Sequence, residues 1–63
     1  MNRSALERHL RQHGCGLVRN GRHAIWENHE TGKRAPIPRH RTVKRGLARA
    51  ICRQLGVPLP DGL

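Results

Sequence analysis

Val43, Leu47, Ile51 and Leu55 recur at every fourth residue near the end of the chain, and Arg45, Arg49 and Arg53 recur between them at the same spacing. At about 100° per residue, an α-helix gathers the first series into one apolar stripe and points the second roughly the opposite way. Such a segment must lay its stripe on a sheet or on other helices, and it presents a row of guanidiniums outward. Gly56 supplies the left-handed residue that ends the helix, and Pro58 and Pro60 keep it ended. Residues 57–63 then form a short, mobile tail with little to bury.

The preceding segments have different periods. Ser4-Ala5-Leu6-Glu7 reads as a capping box, in which a hydroxyl and a carboxylate satisfy backbone amides reciprocally. Leu6 and Leu10 follow on one face, and Gly14 stands where a helix over about residues 5–13 would stop. Leu17-Val18 leads into Asn20-Gly21, the strongest short hairpin signal in the chain, and His23-Ala24-Ile25-Trp26 continues beyond it as a second strand. Glu30-Thr31-Gly32-Lys33 makes another turn, and residues 33–38 read as a third strand. Its Pro36 and Pro38 cannot donate to a ladder, which places it at an edge. The order helix, three strands, helix predicts one α+β domain spanning 1–63, with a three-stranded antiparallel sheet and both helices on one side.

What such a domain can do is bounded by its charge. Thirteen Lys and Arg, eleven of them Arg, stand against four Asp and Glu, for a net charge of +9. An excess this large on 63 residues asks for a polyanionic partner, and the planar arginine fork suits phosphate. No apolar stretch approaches the length that spans a bilayer, and no signal-peptide core follows Met1, so a membrane role is not expected and the cytoplasm is. Cys15 and Cys52 lack metal-site or redox spacing and read as a reduced pair. With Trp26 the one aromatic residue, the core must be assembled from small aliphatics, and a partner that binds only the folded state would stabilise it.

Histidine is the side chain that exchanges protons near neutrality, and RNA cleavage needs such exchange at two oxygens. One group takes the proton of the attacking 2′-hydroxyl; another protonates the leaving 5′-oxygen. His23, next to the hairpin turn and beside Arg19 and Arg22, is one of five histidines and a candidate for that work. Arg39, His40, Arg41, Lys44 and Arg45 crowd the start of the last helix, where free amides and the helix dipole attract phosphate. That cluster, with Arg49 and Arg53, reads as a phosphate-binding surface. His9 and His13, four apart, and Cys15 raise a metal reading, but three scattered ligands without a fourth make no site, and carboxylates are too few for two-metal chemistry. Neither metal nor cofactor is expected.

Gly21-Arg22-His23, Ile25-Trp26, Asn28, Thr31-Gly32-Lys33-Arg34, Pro36, Pro38-Arg39-His40, Leu47-Ala48 and residues 51–56 together resemble the HicA toxin family, the ribonuclease half of HicA–HicB toxin–antitoxin pairs. The resemblance runs roughly from Ser4 to Pro58. It implies a double-stranded-RNA-binding-domain-like α-β-β-β-α fold, metal-free cleavage of mRNA, and neutralisation by a HicB-like antitoxin. The family's catalytic histidine maps onto His23. Three positions depart from the family's usual residues: Arg22 stands for a serine, His29 for a proline, and Leu47 for a threonine. An endoribonuclease is the leading expectation. A non-catalytic RNA-binding module of the same fold is the alternative, and a protein that binds only an acidic partner protein is a third reading.

Overall fold

The computed structural model describes residues 1–63, in the order α1 (Arg3–Gln12), β1 (Cys15–Asn20), β2 (Ala24–Asn28), β3 (Arg34–Ile37) and α2 (Arg45–Leu55). The strands form one antiparallel sheet in the order β1-β2-β3, so β1 and β3 are both edges. The α+β architecture expected from the sequence is the one adopted.

Register sorts the side chains onto two faces. Trp26 pairs with Leu17 on one side and Ala35 on the other, and Ala24 pairs with Ile37. Trp26, Ala35 and Ile37 are buried, together with Leu6 and Leu10 of α1 and Ala48, Ile51, Cys52 and Leu55 of α2. Both helices therefore cover one face of the sheet, and Trp26, 2 % exposed, is the largest piece of the core between them. The other face carries Gly16, Arg19, Ile25, Glu27, Arg34 and Pro36 and has no helix over it. A bulge at Val18, between the Leu17–Trp26 and Arg19–Ile25 pairs, turns Arg19 onto this open face. Pro36 lies in an edge strand, as its missing donor requires.

Four local expectations are corrected. Helix α1 begins two residues before Ala5, and its N-cap is Asn2, whose Oδ1 accepts the Ser4 N–H at 2.7 Å. Ser4 is inside the helix, and Glu7 pairs with Arg3 and Arg11 rather than closing a capping box. Asn is as good a cap as Ser. Tertiary pairing selects Asn2: it bridges Thr42, while the Arg3 N–H donates to the Arg41 carbonyl at 2.8 Å.

At the hairpin, Asn20 pairs with Ala24, leaving Gly21, Arg22 and His23 as a three-residue loop. A two-residue type I′ turn needs positive φ at both central positions, and neither Asn20 nor Gly21 has it. His23 is thus the last residue of the loop rather than the first of β2.

Along α2, Val43 is buried but precedes the helix, and Leu47 is 45 % exposed. The buried positions 48, 51, 52 and 55 keep the helical period with a different phase, because Ala48 and Cys52 are small enough to approach the sheet. That rotation brings Arg45 and Arg49 to the flank of the buried face instead of opposite it. Arg45 Nη2 donates to the Gly62 carbonyl at 3.2 Å and Arg49 Nη2 to the Leu63 carbonyl at 3.1 Å. The C-terminal residues lie back across this flank, with Val57 buried and Leu63 packed against the core, so the expectation of little to bury there is corrected too.

Asn28 joins the layers. It is 3 % exposed, donates from Nδ2 to the last carbonyl of α2, Leu55, at 2.8 Å, and accepts the Glu30 N–H on Oδ1 at 3.0 Å. One amide thereby caps a helix and shapes the β2–β3 turn, where Gly32 adopts φ +79°.

Candidate active site

Two neighbouring pairs at the tip of the hairpin, Arg19–Ile25 and Asn20–Ala24, present their side chains to opposite faces. On the open face Arg19, Arg22, His23 and Ile25 line a cavity of about 170 Å³. Ile25 is the one apolar residue of the lining, beside two guanidiniums and the imidazole. Arg19, Arg22 and His23 are all exposed, and none of their side chains makes a hydrogen bond within the chain. Their donors are free for a ligand. A phosphate fits this chemistry: two arginine forks to hold its oxygens and an imidazole to exchange a proton beside it.

The other expected phosphate ligands are distributed differently. Arg39 turns back onto the hairpin loop: Nη1 donates to the Arg22 carbonyl at 3.2 Å, and Nη2 donates to Asn20 Oδ1 at 2.8 Å and to the Gly21 carbonyl. Its own carbonyl accepts from Arg3 Nη1. His40, Arg41 and Lys44 are exposed on the segment that joins β3 to α2, and Lys44 caps α2 through its backbone alone. With no acidic residue in the first turn, that helix end carries only positive side chains. Arg53 is exposed, whereas Arg45 and Arg49 are engaged with the C-terminal residues. The structure brings Arg19, Arg22 and His23 around one cavity; it does not bring the α2 row into it.

Sequence reasoning passed over the far end of the open face. Glu27 Oε2 accepts from Arg34 Nε at 2.8 Å, and its Oε1 lies 3.3 Å from His29 Nδ1. The Arg34 hydrogen bond, then that of His29, holds the Glu27 carboxyl below its usual range. The signal was the length of the β2–β3 turn, which sets Glu27 directly opposite Arg34. On the helix face a second hollow of about 210 Å³ lies between α1 and the hairpin, lined by residues that include Arg3, Arg11, Leu17 and Arg39. Leu17 is 47 % exposed there.

No group of three or more His, Cys, Asp or Glu side chains is placed to hold a metal ion. His9 Nε2 lies 2.6 Å from the Pro58 carbonyl and His13 Nδ1 lies 2.9 Å from the His9 carbonyl, so each ring donates to backbone. Cys15 and Cys52 are buried free thiols, and burial pushes both up from their usual range, Cys52 also through the nearby Cys15. No helix is long and apolar enough to cross a membrane.

An open-faced sheet backed by two helices, with a cationic hairpin tip, defines a small basic protein of the double-stranded-RNA-binding-domain type. Across residues 3–57 the sequence matches the family model for the HicA toxin of bacterial toxin-antitoxin systems. That span is most of the chain, and the protein belongs to the HicA toxin family. Membership gives it a toxin's role and implies an antitoxin partner. Neither the curated proteins nor the solved structures contain a match.

Proposed function

We propose that the protein is a metal-independent endoribonuclease that cuts mRNA in the cytoplasm, with His23 as its general acid or base. The observation that carries this reading is the convergence of His23 with Arg19 and Arg22 around one open-face cavity. In the reaction a 2′-hydroxyl oxygen attacks the adjacent phosphorus and the 5′-oxygen leaves, so one proton is removed and one is delivered. His23 performs one of these transfers. Arg19 and Arg22 neutralise the charge that builds on the phosphoryl oxygens. His40, Arg41, Lys44 and Arg53, all exposed, supply further phosphate contacts to the RNA outside the open-face cavity. A HicB-like antitoxin of acidic character covers this face and occludes His23, and charge steering makes its association fast and salt-sensitive.

The second reading, a non-catalytic RNA-binding module, is favoured by one observation: His23 is the only side chain lining the cavity that exchanges protons near neutrality. The discriminating experiment is cleavage of RNA by purified wild type and by His23→Ala and His23→Gln, each with and without EDTA. Loss of cleavage by about a hundredfold or more in both variants, with RNA affinity retained and wild-type activity unaffected by EDTA, supports the enzyme. Wild-type rates in His23→Ala would exclude His23 as the catalytic group, and inactive wild type that still binds RNA would favour the module.

A further inference from the structure

The loop that carries His23 has little to hold it. None of Gly21, Arg22 or His23 takes part in the backbone hydrogen bonds formed outside the helices and strands. Nothing crowds Gly21: a Cβ placed there would meet only Arg19 Nε at 3.9 Å. A three-residue loop of this kind, exposed and without internal bonds, would sample many conformations.

A single side chain supplies what the loop lacks. The Arg39 guanidinium donates to the Gly21 carbonyl, the Arg22 carbonyl and Asn20 Oδ1, spanning the three residues that lead into His23. The planar fork presents fixed donors to separate acceptors, which a lysine ammonium at the end of its flexible stem does not do. The base of the fork is anchored as well. Pro38 restricts the backbone just before Arg39, and Arg3 Nη1 donates to the Arg39 carbonyl. Beyond it, the Val43 N–H donates to the Met1 carbonyl at 2.7 Å, the Met1 ammonium donates to the Val43 carbonyl at 2.7 Å, and the Val43 side chain is fully buried. A rigid path therefore runs from the core, through the segment after β3, to the loop.

We propose that Arg39 is a positioning residue for His23: it holds the hairpin loop in the conformation that sets the imidazole against the phosphate, and it is not a phosphate ligand. This rests on the reading of His23 as the catalytic group. Displacement of a reacting group by about 1 Å costs on the order of a hundredfold in rate, so loosening the loop acts on turnover rather than on binding. Removing a phosphate ligand would have the opposite effect: weaker binding, and a log–log salt slope shallower by about 0.7 for each phosphate no longer neutralised on single-stranded RNA.

The test is Arg39→Lys, which keeps the charge, and Arg39→Gln, which removes it, compared by kcat, KM, the salt slope of RNA binding, and ¹⁵N order parameters of residues 21–23. In both variants kcat is expected to fall about ten- to a hundredfold, with KM within about twofold and the slope unchanged, while the loop amides gain disorder. Asn20→Ala, which deletes one acceptor and leaves every charge in place, is expected to lower kcat in the same sense by a smaller factor. It serves if Arg39→Gln does not fold. A raised KM and a reduced slope in Arg39→Gln with kcat maintained would overturn the proposal, as would loop order parameters unchanged in Arg39→Lys. Wild-type cleavage by His23→Ala would sink the catalytic reading instead, and the order parameters would still report whether Arg39 fixes the loop.

Discussion

Asn28→Ala is expected to be among the most damaging substitutions outside the aliphatic core. The side chain is 3 % exposed and makes two hydrogen bonds, to the Leu55 carbonyl at 2.8 Å and from the Glu30 N–H at 3.0 Å. Each is worth about 1 kcal/mol net, and an orphaned buried carbonyl costs about 1–3 kcal/mol by itself. The Glu30 amide lies in a turn and regains water, whereas the Leu55 carbonyl sits beneath the sheet at the end of α2. Together these give a loss of about 2–4 kcal/mol. A domain of 63 residues has a total stability of about 3–9 kcal/mol, so this loss takes about a fifth of it at the least and most of it at the low end of that range. Thermal unfolding followed by circular dichroism should show Tm lowered by about 8 °C or more, since each kcal/mol shifts a domain this small by about 4–8 °C. Asn28→Asp should be at least as harmful: it keeps the acceptor for Glu30 but sets an anionic oxygen against the Leu55 carbonyl. An alanine variant melting within about 3 °C of wild type would refute the reasoning, because it would mean that the carbonyl finds another donor at no cost.

Three further outcomes follow from the site and the core. The depressed Glu27 carboxyl contributes stability above its unfolded range near 4.5, and that contribution is lost as pH falls through the lower folded value; Glu27→Gln should therefore flatten the acid limb of the stability curve, and parallel wild-type and variant curves would refute this. Replacing Arg19 and Arg22 together with Gln should reduce the salt slope of RNA binding by about 1.4, the value for two phosphates, and by more than the pair Arg45→Gln and Arg49→Gln, whose guanidiniums already engage the C-terminal carbonyls. The buried thiols of Cys15 and Cys52, raised by desolvation, should react with a disulfide reagent only as fast as the protein opens; rapid stoichiometric labelling of the native protein would contradict their burial.

Much of this architecture is written in local periodicity. The recurrence of apolar residues through 43–55, the β-favouring run at Ile25-Trp26 and the prolines that confine residues 34–37 to an edge are properties of short segments, and they specify a helix, a strand and an edge strand wherever they occur. Net charge likewise requires no coordinates. The place of His23, beside a turn with two arginines within four residues, was legible as a local pattern too; the expectation of a catalytic role came from the resemblance to the HicA family and not from that pattern.

What only the tertiary structure decided is which of several equivalent donors, caps and phases is used. Asn2 and Ser4 are comparable caps, and the pairing of residues 1–3 with 41–43, some forty positions away, chooses Asn2. Leu47 and Ala48 both fit a helical period, and the distance to the sheet admits Ala48. Arg39 and Arg41 are two arginines of one basic run, yet only Arg39 reaches the carbonyls of Gly21 and Arg22. A charge run encodes how many cations a surface has. Which of them are free for phosphate and which are consumed as hydrogen-bond donors depends on acceptors brought near by the fold, and no spacing along the chain records that.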